Sequence, residues 1–246
     1  MTWVKICGIT NLEDALVAVE AGTDALGFVF HEKSSRKVDV ETARAIVEKL
    51  PERVEKVGVF VGGSDTEEWF DVVLRAGLTA VQQHLCPEKQ HDQGPQRALG
   101  MSVFKRPMKM FTAISLGSSL DNEDAVRGLA ADFARWQRNI PEAFPIPDGV
   151  FDTFFLDSGD AQRAGGTGKT FDWRKAVPIA EGMRAGGLKL VVAGGLTAEN
   201  VGEAIGVLSP WGVDVASGVE ARPGKKDPEK VRAFVRAVRE MDRKVG

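Results

Sequence analysis

Short apolar runs alternate with amphipathic helical stretches about eight times along the 246 residues, and few folds accommodate such a rhythm. Residues 4–9, 25–30, 54–61, 80–84, 102–104, 151–156, 188–193 and 213–215 read as strands. Helical spacing of apolar residues runs through 11–22, 40–50, 65–76, 121–136, 171–183, 198–208 and 227–243, with a short helical pattern near 96–99. Nearly continuous apolar strands must be covered on both faces, which predicts a parallel sheet sheathed by helices. Units in this number and length match a single (β/α)₈ TIM barrel spanning residues 1–246 as one domain. A doubly wound open sheet is the rival, and it ordinarily shows a glycine-rich phosphate loop after its first strand. Here the first strand ends Cys7-Gly8-Ile9-Thr10, and the glycine clusters come late. The stretches 85–100 and 111–150 read as enlarged loops or an added helix.

Composition narrows the function. Hydrophobic residues at 43% and a net charge of −3 exclude disorder and give no bulk attraction for nucleic acid. No apolar run approaches the roughly 20 residues that span a bilayer, so no membrane partner is expected. Met1 to Cys7 runs straight into a strand pattern, and no signal peptide is expected. Two cysteines, Cys7 and Cys86, are too few for a disulfide framework, which points to the cytoplasm.

In a barrel, chemistry sits at the C-terminal ends of the strands. The polar residues there are Cys7, Arg36, His84, Asp157, the Gly165-Gly166-Thr167-Gly168-Lys169 loop, Gly194-Gly195 and Ser217-Gly218. Each glycine cluster alone makes a tight turn. Three clusters in the last three units predict a phosphate held by main-chain amides at Gly166, Gly168, Gly195, Ser217 and Gly218, beside Gly194. Asp157 follows an apolar strand and reads either as a helix cap or ion-pair partner, or as a carboxyl raised by burial into a general acid. Cys7 reads as a small buried hydrophobe, or as a reactive thiol whose pKa is lowered by Lys5 two residues back on the same strand face. Lys5 itself needs a partner, and Asp214 is the expected one. Arg36, in Lys33-Ser-Ser-Arg-Lys37, is a solvated loop residue or a bidentate grip on a carboxylate. His84 reads as a core histidine bonded to backbone or as a site residue.

Val4-Lys-Ile-Cys-Gly-Ile-Thr10, Asp24-Ala-Leu-Gly-Phe-Val-Phe30 with Ser34-Ser-Arg36, Lys56-Val-Gly-Val-Phe-Val61 and Phe155-Leu-Asp157 run in order along the chain. Gly165 to Trp173, Ala193 to Asn200, Val213 to Glu220 and Pro223-Gly-Lys-Lys-Asp227 complete the series. Together they resemble the phosphoribosylanthranilate isomerases of tryptophan biosynthesis, from the first strand to the last helix. The resemblance implies a (β/α)₈ enzyme with no metal or organic cofactor. It implies an Amadori rearrangement of a small phosphoribosyl substrate, with Asp157 as general acid, Cys7 as general base and Arg36 near the anthranilate carboxylate. A monomer or homodimer is expected. The family's fourth strand reads Gln-Leu-His-Gly. Here it is Gln82-Gln83-His84-Leu85, which predicts a changed loop after it and leaves the role of His84 open. The rival readings are another sugar-phosphate isomerase of histidine or tryptophan biosynthesis, and a noncatalytic phosphoribosyl-binding barrel. The first is expected to carry aspartates after strands one and five, and the second to have lost Cys7 or Asp157.

Overall fold

A ring of parallel strands has no exposed edge, and a sheath of helices covers its outer face. The computed structural model describes residues 1–61, 66–84, 108–116, 120–135, 152–159 and 170–245. Its strands are β1 (Trp3–Cys7), β2 (Ala25–Val29), β3 (Glu55–Val61), β4 (Ala80–His84), β5 (Lys109–Ser115), β6 (Thr153–Asp157), β7 (Lys189–Val192) and β8 (Gly212–Val215). They close in sequence order into a parallel barrel, β8 returning to β1. The described helices are α1 (Leu12–Ala21), α2 (Val40–Val47), α3 (Thr66–Ala76), α4 (Glu123–Ala134), α5 (Val177–Ala185), α6 (Val201–Leu208) and α7 (Pro228–Val245). A short antiparallel hairpin, β9 (Glu220–Arg222) and β10 (Lys225–Lys226), lies between β8 and α7. The fold is the (β/α)₈ barrel that the alternation predicts.

Local chemistry sets the helix ends. Asn11 Oδ1 accepts from the Asp14 amide at 2.9 Å and starts α1, and Gly22 ends it in the left-handed region at φ 92°. Asp39 caps α2 by accepting from the Thr42 amide at 2.8 Å. Alternation then splits the core in two. Leu26, Phe60, Leu156 and Val213 pack outward against helices, while Val57, Phe111, Phe155 and Val191 fill the barrel. Inside, Trp3 meets the rings of Phe111 and Phe155 edge-on at 5.9 and 6.2 Å and stacks on Trp211 at 5.1 Å, flooring the N-terminal end.

Three boundaries differ from expectation. The fifth strand is Lys109–Ser115, while the expected 102–104 lies outside the described residues, as does the helical pattern near 96–99. Residues 111–115 are therefore barrel, not enlarged loop. Lys109, Thr112 and Ser115 hide a strand in which Phe111 pairs with Gln82 and Ala113 with His84. The helix expected at 121–136 is α4, the ordinary crossover between β5 and β6. Asn122 caps it by accepting from the amides of Asp124 and Ala125, and Asp121 accepts from Lys175. The helix expected from residue 171 begins at Val177, because Pro178 suits a first helical turn and nothing earlier.

Phe155 is fully buried in the barrel against Trp3 and Phe111. Phe155→Ala is expected to lower stability by about 3–5 kcal/mol through the cavity it leaves, read as a shifted urea midpoint with an unchanged slope.

Candidate active site

On β1 the interior face carries Trp3, Lys5 and Cys7 in turn, and β8 places Asp214 opposite Lys5. Lys5 Nζ donates to Asp214 Oδ1 at 3.0 Å, with the lysine wholly buried. This is the pair that the sequence suggested. Burial drags the Lys5 ammonium down, but Asp214 and then Cys7 outweigh it, and the net direction is up. Lys5 stays charged.

Cys7 sits one step nearer the mouth. Burial pushes its thiol up, Lys5 pulls it back, Asp214 pushes it up again, and the net direction is up. Lys5 does pull the thiol down as expected, but it does not set the net direction. The ammonium is neutralised by Asp214 at 3.0 Å, so desolvation of the thiolate prevails.

Asp157 ends β6 and is 7% exposed. Burial lifts its carboxyl above the usual range, against the Gly159 amide, which donates to Oδ1 at 2.8 Å, and against Lys5. That direction favours the protonated form a general acid needs. His84 ends β4, buried, with its Nε2 at 3.0 Å from Gln82 Nε2. Its partner is thus a side chain and not backbone. Burial, then Lys5, lowers its pKa to about 4, so the imidazole is neutral. His84 Nδ1 and Gln82 Oε1 are buried and have no hydrogen-bond partners among the described residues.

Arg36 is held at the mouth beside β1. Its stem crosses Gly8, where a Cβ would stand 2.5 Å from Arg36 Cδ, and Gly8 has φ +78°. Only glycine fits that position without strain. The bidentate grip expected of Arg36 is made to Glu220: Nε and Nη2 donate to Oε1 and Oε2, each at 2.8 Å. The side-on edge of the guanidinium is taken, and the end-on edge with Nη1 is left.

The last three strands form a small open pocket lined by Asp157, Gly194, Gly195, Asp214, Ala216 and Ser217, among others. Gly194 and Gly195 have φ of +81° and +64°, and their amides donate to no described backbone group. A side chain at Gly194 would strike Ser158, and one at Gly218 would strike the Leu196 carbonyl, so the loops after β6, β7 and β8 abut as one rim. Gly166 and Gly168 lie outside the described residues. Cys7 does not line this pocket. Its connection runs through Lys5 to Asp214 in the pocket wall.

Three contributions escaped the sequence reading. Asn200 latches the β7 loop, donating to Gly195 O at 3.0 Å and accepting from the Thr197 amide at 2.8 Å. Glu220 and Lys226, from the hairpin, hold Arg36 and the Ala216 carbonyl. Their only sequence signal is a charged residue on either side of the Pro223-Gly224 turn.

A closed parallel barrel with a buried carboxyl, a thiol and a glycine rim at one mouth is the build of an acid–base barrel enzyme. A family model described as N-(5'phosphoribosyl)anthranilate (PRA) isomerase matches residues 4–106 and 139–237. The N-(5'-phosphoribosyl)anthranilate isomerase of Geobacter sp. (strain M21) is 42% identical over 246 residues, covering 98% of this chain and 100% of that protein. The crystal structure of phosphoribosyl anthranilate isomerase from Thermotoga maritima superposes with a TM-score of 0.74 at 37% identity, covering 98% of this chain and 100% of that one. A phosphoribosyl anthranilate isomerase complex with reduced 1-(o-carboxyphenylamino)-1-deoxyribulose 5-phosphate gives 0.71 at 36% identity, over 98% and 100% of the two chains. The chain belongs to the N-(5'-phosphoribosyl)anthranilate isomerase family. Among the described residues no helix is long and apolar enough to cross a membrane.

Burial of the Asp157 carboxyl costs stability once it ionises. Its folded pKa lies above the unfolded value near 3.9, so stability falls as pH rises through the interval between them. Asp157→Asn is therefore expected to be more stable than the parent at pH 7 and to lose that advantage near pH 3. Paired urea titrations at the two pH values read this, and equal midpoints at pH 7 would count against it.

Proposed function

We propose that this chain converts N-(5-phosphoribosyl)anthranilate into 1-(2-carboxyphenylamino)-1-deoxyribulose 5-phosphate, an Amadori rearrangement in tryptophan biosynthesis. The observation that carries the assignment is the buried Asp157 in a pocket whose other wall is the Gly194–Gly195 and Ser217 rim. In this reading Asp157 gives its proton to the furanose oxygen, the C1′–O bond breaks, and the nitrogen lone pair forms a cationic Schiff base. Cys7, as thiolate, removes the C2′ proton, whose electron pair moves into an enolamine. The enolamine then tautomerises to the ketone.

Burial suits the two groups unequally. It raises Asp157 toward the protonated form the acid requires, but it also raises the Cys7 thiol and so disfavours the thiolate. The cationic Schiff base above Cys7 favours loss of the thiol proton to water, which leaves the thiolate at the step that needs it. Neutral His84 is a hydrogen-bonding group for the sugar and not a proton donor by charge. The amides of Gly195, Ser217 and Gly218, with those of Gly166 and Gly168 and the turn at Gly194, hold the phosphate and orient the reacting carbons. Arg36 meets the anthranilate carboxylate through its end-on edge. No metal or organic cofactor enters any step.

A noncatalytic barrel would have no need of both Cys7 and Asp157, and a histidine-type isomerase would carry an aspartate where Cys7 stands. The cytoplasm, where a free thiol persists, is the proposed compartment. The chain is read as one barrel domain acting as a monomer or homodimer.

Cys7→Ala and Asp157→Ala are each expected to lower kcat by about 10²–10⁴ with little change in substrate affinity. Loss of the fluorescence of the anthranilate-derived substrate reads both, and near-parental kcat in either variant would contradict the assignment.

A further inference from the structure

We propose that Glu220 is a positioning residue that aims Arg36, and that the hairpin bearing it sets selectivity for an aryl amine carrying a carboxylate. The inference rests on the isomerase reading and extends it to a residue outside the reacting groups.

Glu220 opens the hairpin and its side chain is 5% exposed. Four donors converge on it: Arg36 Nε and Nη2 at 2.8 Å each, Lys226 Nζ at 3.0 Å and the Gly224 amide at 3.3 Å. Lys226 is fully buried and its Nζ also donates to Ala216 O, in the pocket wall, at 3.0 Å. The carboxylate is thus tied to both sides of the mouth. Two basic groups share one anion; burial pulls Lys226 down, while the Arg36 guanidinium stays charged in a site that burial makes poor in water. The remaining donors define where that charge is directed. A guanidinium is planar, with five N–H groups in a fixed fork. With Nε and one Nη2 proton committed to Glu220, the end-on edge is the open one, and Nη1 has no partner among the described residues. The stem lies across Gly8, the residue after Cys7, which bounds it on that side. A carboxylate meeting that edge finds a preset geometry and a positive charge. A neutral ring finds neither.

The hairpin is itself anchored away from Arg36. Asp14 accepts from Lys225 Nζ at 2.6 Å and from the Lys226 amide at 2.7 Å, and Thr10 Oγ1 donates to Gly224 O at 2.6 Å. Glu220 therefore holds its place without Arg36.

The test compares two substrates, N-(5-phosphoribosyl)anthranilate and N-(5-phosphoribosyl)aniline, which lacks the carboxylate. The readout is the ratio of their kcat/KM values. In Glu220→Gln the ratio is expected to fall about tenfold, mainly through KM for the carboxylated substrate, the scale of one misaligned charge-assisted hydrogen bond. In an Arg36→Ala background the same change is expected to add no further fall, since Glu220 acts through Arg36. A merely structural role would lower both kcat/KM values together and leave the ratio where it was, which overturns the proposal. So would a further fall in the Arg36→Ala background. If E220Q is recovered unfolded, E220D keeps the charge for Lys226 while drawing it back by one methylene, and the same ratio applies. A parent chain that isomerises neither substrate sinks the isomerase reading and this inference with it. An active parent whose ratio is unmoved by E220Q sinks the inference alone.

Discussion

A lysine and an aspartate buried together at the centre of a closed barrel set the electrostatics of everything above them. Lys5 and Asp214 face each other across the β1–β8 seam at 3.0 Å. The aromatic floor lies beneath them, with Lys5 Nζ 5.3 Å from the Phe155 ring centre. Removing either partner alone leaves an uncompensated charge in an apolar ring, which is far costlier than never having had the pair. The lysine pulls down the thiol of Cys7, the carboxyl of Asp157 and the imidazole of His84 alike. Asp214 opposes it at Cys7 and His84, which is why neither responds as it would to a free ammonium.

Desolvation is the stronger force at the mouth, and it acts on acid and base in the same direction. Raising a carboxyl makes an acid available near neutrality, whereas raising a thiol withholds a base until a cation arrives. The order of events in an Amadori rearrangement fits that asymmetry, because protonation and ring opening create the cation before the carbon proton must leave. Holding a carboxyl that the fold disfavours in its ionised form is a local cost, carried by the packing of the barrel around it.

The mouth is also where the first and last units are stitched together. The hairpin after β8 is bound to the loop after β1 through Thr10, to the first turn of α1 through Asp14, and to the loop after β2 through Glu220 and Arg36. At the other end of the barrel, Asp242 of α7 accepts from the Thr2 amide and hydroxyl, and Arg239 reaches Asp24. Seam closure and site assembly thus share the same residues. Across the barrel, the rim that lines the pocket is made rigid by Asn200 and by glycines with no room for a side chain.

Alternating apolar runs and amphipathic helices determine the barrel, because strands buried on both faces can be satisfied in few ways. Strand periodicity likewise places Lys5 beneath Cys7, and the end of an apolar run marks Asp157 as costly unless used. Lys109, Thr112 and Ser115 obscured β5, since its facing comes from Gln82 and His84 on a neighbouring strand. Only the tertiary structure decided how the charges balance. Whether Lys5 activates a thiol or is spent on Asp214, and whether Arg36 is free or already gripped, depends on carboxylates more than 180 residues away in the chain. Electrostatic effects fall off with distance in space and with burial, and neither is encoded by spacing along a chain.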